Sequence, residues 1–254
     1  MTQRVNYDAI AESYDAHPFR RKEADPDLLA FLNERPGSEP LSILDAGCGT
    51  GNQLIADLPH TASALLVGLD RFRGMLRQGQ KKSRDIRWIH GDGAALPFRD
   101  ASFDFVTSQF SFHHVQDKPA MIAGVFRVLR PGGRFVMSNI SPRDMSDWII
   151  YRFFPAAWQK DLLDFLPKEE IERLLHHAGF QNVQVSLQRR TYEIPLREFF
   201  ESARQRIHVS QLITISDADY RDGLARIEQT LKENASAVLL NEICVVKATG
   251  DKAV

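Results

Sequence analysis

Three carboxylates each follow a short apolar run. Asp45 closes an apolar run that begins at Ile43 and is followed at once by Ala46-Gly47-Cys48-Gly49-Thr50-Gly51. Glycine accepts positive φ and has no Cβ, so a turn carrying Gly47, Gly49 and Gly51 lets backbone N–H groups approach a ligand over a strand end. A tight strand-to-helix turn holding nothing is the competing account. Asp70 ends the next apolar run, Ala64 to Leu69, and lies 25 residues after Asp45. That is close to the ~20-residue spacing at which an acid grips ribose hydroxyls in nucleotide-binding α/β folds. Asp92 follows a third run, Ile86 to His90, and Gln109 follows a fourth, Phe103 to Ser108. Beyond it comes Phe110-Ser111-Phe112-His113-His114. An unperturbed histidine titrates at about 6.5, which makes His113 the candidate general base. A histidine that caps the next helix is the plainer account of His113, and plainer still for His114.

These residues need a sheet to bring them together. Apolar runs alternate with helical patterns at Asn52 to Leu58, Met75 to Lys82 and Pro119 to Leu129, and Arg134 to Asn139 reads as a fifth strand. Such alternation gives right-handed crossovers and a parallel sheet, with ligands beyond the carboxyl ends of the strands. Asp45, Asp70, Asp92 and Gln109 would all project there. Ahead of the sheet, two acid-aromatic pairs, Tyr7-Asp8 and Tyr14-Asp15, precede an amphipathic helix from Asp27 to Glu34 that stops at Arg35-Pro36-Gly37. After it, Ser141 to Leu166 loses its periodicity and becomes aromatic, with Trp148, Tyr151, Phe153, Phe154, Trp158 and Phe165. Stretches of that length are commonly lids or binding elements. Helices at Lys168 to Ala178, Pro195 to Ile207 and Asp217 to Glu233, a strand at Val183 to Arg189 and a last strand at Asn241 to Ala248 complete the pattern.

The chain has 254 residues, 32 basic against 33 acidic, so overall charge implies neither nucleic acid nor an anionic membrane as partner. Its two cysteines, Cys48 in the glycine turn and Cys244 in a late apolar run, suggest a reducing compartment without a disulfide or metal cluster. No signal peptide is evident and no apolar stretch nears the ~20 residues of a membrane helix, so a cytoplasmic protein is expected.

Taken in order, the motifs resemble those of class I S-adenosylmethionine-dependent methyltransferases, in particular the small-molecule "type 11" group. The resemblance runs from about Tyr7 to Phe135. Leu44 to Gly51 is similar to the first motif of the family, Gly68-Leu69-Asp70 with Met75-Leu76 to the second, and Gly91-Asp92-Gly93 through Leu96-Pro97-Phe98 to the third. Phe103-Asp104-Phe105-Val106 with His113-His114-Val115 is similar to the fourth, and Leu129-Arg130-Pro131-Gly132-Gly133 completes the order.

The resemblance implies a Rossmann-like α/β fold, a seven-stranded mostly parallel sheet with the last strand antiparallel, helices on both faces and a helical cap. It implies one methyltransferase domain over 1–254, with an N-terminal cap at 1–40, a cofactor-binding core at 41–140, an aromatic lid insertion at 141–167 and a helical insertion at 190–238. It also implies S-adenosylmethionine as cofactor. Gly47, Gly49 and Gly51 would pass under its methionine part, Asp45 would order the amino group, and Asp70 would accept from both ribose hydroxyls. Asp92 and the Gly93 backbone would read the adenine, Arg71 and Met75 would pack on the ring, Tyr14 would close over the methionine end, and Gln109 would border the site. For Met75 and Tyr14, simple core packing is as good an account.

Gln109-Phe110-Ser111-Phe112 departs from the Asn/Asp-Pro-Pro-aromatic motif of nucleic-acid amino-group methylases. That departure counts against a base nitrogen, and a small-molecule oxygen or carbon is expected instead. The aromatics after Ser141 suggest an apolar or aromatic acceptor, unless they merely cover the sheet edge. Arg189, Arg190, Arg197, Arg204 and Arg206 would suit an acidic acceptor or a solvated face. Two other functions compete. A nicotinamide dehydrogenase would need its third glycine three residues after the second, not two. A catalytically silent cofactor-binding regulator would keep the same cofactor positions.

Overall fold

The computed structural model describes residues 5–16, 20–35, 40–61 and 63–254. The Pro36-Gly37 stop lies outside them. In chain order the elements are α1 (Pro26–Asn33), β1 (Ser42–Ala46), α2 (Asn52–Asp57), β2 (Leu65–Asp70), α3 (Arg73–Lys82), β3 (Ile86–His90), β4 (Phe103–Gln109), α4 (Lys118–Val128) and β5 (Leu129–Ile140). Then come α5 (Ile149–Phe153), α6 (Pro155–Asp164), α7 (Lys168–Ala178), β6 (Gln181–Pro195), α8 (Leu196–Arg204), α9 (Ser210–Thr214), α10 (Asp217–Glu233) and β7 (Val238–Asp251). The strands form one seven-stranded sheet in the order β3-β2-β1-β4-β5-β7-β6.

Strands β1 to β5 pair in parallel, as strands joined by crossover connections do. The pairing of β5 with β7 is antiparallel. Gly132 N donates to Lys252 O while Ser141 N donates to Cys244 O, so residue numbers rise on one strand as they fall on the other. This pairing also explains why β5 begins at Leu129, earlier than Arg134: the Pro131-Gly132-Gly133 stretch is drawn into the ladder by Lys252, whose N donates to Gly133 O.

Local chemistry starts and ends the helices near the expected places. Asp25 caps α1 by accepting from Asp27 N at 2.9 Å, with Pro26 at the first position where its missing N–H costs nothing. Asp117 caps α4 through Ala120 N. On one face of the sheet Ile43, Leu66, Ile86, Phe105 and Val136 meet Leu28, Phe31, Leu54 and Leu76. The alternate strand residues Leu44, Val106 and Phe135 are equally buried, so the opposite face is covered as well.

Contacts divide the chain into two compact units. Of the described residues, one comprises those within 7–139, 168–186 and 247–254, the other those within 5–6, 140–167 and 187–246. The aromatic stretch after Ser141 belongs to the second and is not irregular: it forms α5 and α6. Pro155 breaks the chain between them and starts α6. Trp148, Tyr151, Phe153 and Phe154 are buried there against Leu196, Phe199, Leu212 and Ile227. They are core of that unit, and this corrects their reading as a displayed binding surface. Among the described residues no helix is long and apolar enough to cross a membrane.

Candidate functional site

Beyond the carboxyl ends of β1, β2 and β4 the glycine turn is wound back on the sheet. Gly47, Gly49 and Gly51 have φ of +90°, +56° and +74°, values that side chains rarely tolerate. Their surroundings differ. A Cβ at Gly47 would run into Ser111 and one at Gly51 into the Trp88 ring, whereas at Gly49 the nearest atom is Met75 Cε, 3.9 Å away. Two of the glycines therefore serve close packing. Only the middle one faces room.

The turn's amides point elsewhere than expected. Gly47 N and Cys48 N donate to Leu69 O at 2.7 and 3.0 Å, Gly51 N to Cys48 O at 2.9 Å, and Gly49 N to Asp70 Oδ2 at 2.8 Å. The turn wraps over the end of β2, so these four N–H groups are satisfied inside the protein. This corrects the picture of a turn that offers its amides to a ligand.

Asp70 is buried at 8% exposure and also accepts from Phe72 N through Oδ1 at 2.8 Å. Burial raises its pKa, against the two amide hydrogen bonds and Arg71. Asp45 is the more extreme carboxylate. It is 3% exposed and its Oδ1 has no hydrogen-bond partner. Burial, then the charges of Asp57 and Asp70, push it up to about 8, while Lys22 opposes. Its register partner on β4 is Thr107, whose Oγ1 is likewise buried and without a partner. Two such orphans side by side are unusual, because buried polar atoms are nearly always paired.

Gln109 Nε2 donates to Asp25 Oδ2 at 2.8 Å. Met75 is 2% exposed. Asp92 is exposed and accepts from Ala94 N at 2.9 Å, bending the chain after β3, and a Cβ at Gly93 would lie 3.4 Å from Val115 Cγ2. Arg71 is exposed, its guanidinium 5.6 Å from the Phe72 ring, and His90 Nε2 donates to its carbonyl. Tyr14 lies in a single 3-10 turn, Tyr14–Ala16, and the Arg20 guanidinium sits 4.0 Å over its ring. His113 Nδ1 is sealed from solvent, and burial with His114 and Lys118 holds the ring's pKa well below the usual histidine range, against a hydrogen bond with Asn139. It is neutral at physiological pH.

The sequence pattern assigns the acid-aromatic pairs no partners. Asp15 accepts from Thr50 Oγ1 at 2.7 Å and Asn52 Nδ2 at 2.8 Å and pairs with Lys82 at 2.5 Å, while Asp8 accepts from Gly74 N and Tyr7 OH meets His114 Nε2 at 2.9 Å. The acid-aromatic pairs near the N-terminus are thus anchors onto the turn and α3. Ser111 Oγ donates to Ala46 O at 2.9 Å and contacts Ser108 Oγ at 2.8 Å, docking the chain after β4 onto the turn. That docking leaves Phe110 at φ +53° and 41% exposed, with Lys22 Nζ 5.0 Å from its ring centroid. No sequence pattern signals a non-glycine residue there.

In the other unit, Tyr151 OH donates to Asp161 Oδ2 at 2.7 Å, and burial pushes Asp161 up to about 7 even though Tyr151 and Gln211 hydrogen bond to it. Of the arginines, Arg189 pairs with Glu242 at 2.6 Å, Arg204 with Glu201 at 3.5 Å and Arg206 with Asp217 at 2.6 Å.

A family model described as a methyltransferase domain matches residues 44–137, which hold all of β1 beyond Ile43 through to β5. A demethylmenaquinone methyltransferase of Staphylococcus saprophyticus is 31% identical over 198 residues, 68% of this chain and 81% of that protein. The chain is a class I S-adenosylmethionine-dependent methyltransferase of the type 11 group. A malonyl-[acyl-carrier protein] O-methyltransferase of Xylella fastidiosa is 33% identical over 139 residues, 54% of this methyltransferase and 47% of that protein. The fold recurs in phosphoethanolamine N-methyltransferase 2 of Haemonchus contortus, solved with S-adenosyl-L-methionine, at a TM-score of 0.61 and 19% identity over 97% of this chain and 57% of that one. It recurs also in a structure assigned to antibiotic biosynthesis in Anabaena variabilis, at 0.65 and 19% over 88% and 96%. The methyltransferase uses S-adenosylmethionine as its cofactor.

Proposed function

We propose that this methyltransferase acts on a small apolar or aromatic molecule, at oxygen or carbon, by in-line displacement, and that its cofactor lies across the glycine turn. The observation that carries the cofactor site is the orphaned, buried Asp45 Oδ1 next to a turn in which Gly49 alone has room beside it. An ammonium group would supply the partner that this oxygen lacks. Asp70 has lone pairs left beyond its two amide bonds for ribose hydroxyls. Asp92 and Gly93 are suited to the adenine edge, with Arg71 and Met75 beside the ring, and Tyr14 and Gln109 border the methionine end. Thr107 Oγ1, Gly47 and Gly51 complete the floor.

S-adenosylmethionine, when bound, supplies a methyl group already activated on a sulfonium. What the chain's residues must add is alignment and exclusion of water, which can be worth roughly 7 to 11 kcal/mol. The anchored segment around Asp8 and Asp15 closes the site from the N-terminal side. A proton acceptor matters only if the attacking atom carries a proton. His113, neutral, is our assignment for that role, and its depressed pKa makes it a weak base. Phe110, held exposed beyond β4, offers an aromatic face to an acceptor. The malonyl-carrier relative, an O-methyltransferase, supports oxygen.

The test is turnover coupled to S-adenosylhomocysteine formation, with a reduced demethylmenaquinone and a malonyl thioester as acceptors. Methylation of either supports the reading. Tight cofactor binding with no methylation of either would favour a regulator that binds the cofactor without using it.

A further inference from the structure

Asp45 is a carboxylate buried with one oxygen unpaired. Its Oδ1 accepts no hydrogen bond, and its other surroundings are hostile to a second negative charge. Asp57 faces it from α2, Asp70 from the end of β2 and Asp25 from the N-cap of α1; Lys22, just ahead of that cap, is the cation that opposes them. Thr107 on β4, opposite in register, carries no charge. An isolated carboxylate withdrawn from water and flanked by other carboxylates keeps its proton instead of ionising. An ammonium group against Oδ1 reverses the balance, since a charge-assisted hydrogen bond favours the anion.

Resting on the cofactor site proposed above, we infer that Asp45 carries a proton in the cofactor-free protein and gives it up to solvent when S-adenosylmethionine or S-adenosylhomocysteine binds. The balance is simple. The O–H bond of the Asp45 carboxyl breaks and its proton passes to buffer. The ligand's ammonium keeps its three N–H bonds and donates one of them to Oδ1. Nothing is oxidised or reduced, and the sulfonium is not involved, so product and cofactor behave alike. Binding then tightens with rising pH, approaching tenfold per unit below neutrality, where the Asp45 carboxyl is protonated in the free protein, its pKa being about 8. Cofactor capture becomes a proton-coupled step.

The experiment is calorimetry of S-adenosylhomocysteine binding to the full chain at pH 6.5, in buffers of widely different ionisation enthalpy. At that pH the ligand's α-amino group is almost fully protonated and contributes no proton. The slope of observed against buffer enthalpy should correspond to about one proton released per ligand bound. In Asp45→Asn the slope should fall to near zero and affinity should drop. Infrared difference spectra give a variant-free check: the carbonyl band of a protonated carboxyl should vanish on binding. Normal affinity with a flat slope in the natural protein, or an unchanged slope in Asp45→Asn, overturns the proton release while leaving the cofactor site standing. Unchanged affinity in Asp45→Asn overturns the placement of the ammonium itself.

Discussion

Asp45 and Asp161 are both carboxylates buried in the interior of a compact unit, at 3% and 6% exposure, and both are pushed upward, to about 8 and about 7. Their surroundings differ in one respect. Asp161 is satisfied by the Tyr151 hydroxyl and Gln211 within its own unit, whereas Asp45 Oδ1 has nothing to accept. A buried polar group that the protein completes by itself is architecture; one left incomplete points to a ligand. The contrast extends to the units around them. In the helical unit the aromatics are consumed by its own core. In the other unit the glycine turn is packed at Gly47 and Gly51 but open at Gly49.

The largest expected effect follows from the pH dependence of the orphan. Asp45 ionises in the unfolded chain above its ordinary 3.8 but in the folded, cofactor-free protein only near 8, so the unfolded state gains as pH rises between the two. The contribution of Asp45 to stability is therefore full below pH 4, falls through the interval and levels off above 8. At 1.36 kcal/mol per unit the ceiling of this contribution is roughly 6 kcal/mol. Denaturant titrations from pH 5 to 8 should show a marked decline in the natural protein and a clearly shallower one in Asp45→Asn. Saturating S-adenosylhomocysteine should flatten the natural profile as well. Asp161→Asn changes the profile in the same direction but by less, because the shift there is smaller and an amide oxygen can still accept from Tyr151.

The glycines sharpen the same contrast. Gly51→Ala puts a methyl into the Trp88 ring at positive φ, with an expected cost of about 3 kcal/mol in stability. Gly49→Ala meets only the strain of its φ, about 1 to 2 kcal/mol, yet should weaken S-adenosylhomocysteine binding more than tenfold by filling the open space. If the two substitutions lost affinity and stability in the same proportion, the distinction between packed and open glycines would be wrong. Next in size, Tyr151→Phe removes a donor from Asp161 and should cost about 1 to 3 kcal/mol of stability without touching cofactor affinity.

How far the sequence alone led depends on the range over which each feature is determined. The order of strands, the turn at Gly47 to Gly51 and the acids at strand ends follow from local runs and glycine spacing, and these were legible. The bonding of the turn was not, because whether Gly49 N donates to a ligand or to Asp70 depends on how the turn folds over β2, a contact across 21 residues. Nor was the strain at Phe110, which arises only when Ser111 docks onto Ala46 O, 65 residues away. The stretch from Trp148 to Phe165 misled for another reason. Its helices are short and buried on several sides, so their apolar residues show no single stripe. Tyr7 and Asp8 stand in the sequence only as an acid-aromatic pair ahead of the sheet, yet they reach His114 and Gly74, more than 60 residues away.

Asp70 illustrates how structure changes a prediction drawn from sequence. As a ribose ligand alone, Asp70→Ala would weaken cofactor binding by roughly 1 to 3 kcal/mol and leave the fold untouched. Because its two oxygens also hold Gly49 N and Phe72 N, the same substitution should lower thermal stability, and Asp70→Asn, which keeps one acceptor, should separate the two effects. The smallest effect is expected at His113. A general base contributes about 100- to 10,000-fold, and one whose pKa burial has depressed belongs at the low end of that range. His113→Gln should therefore reduce kcat by no more than about 100-fold once an acceptor is identified. A far larger loss, with cofactor affinity and stability intact, would mean that proton removal and not alignment limits the reaction, and would move the catalytic weight from the glycine turn to the end of β4.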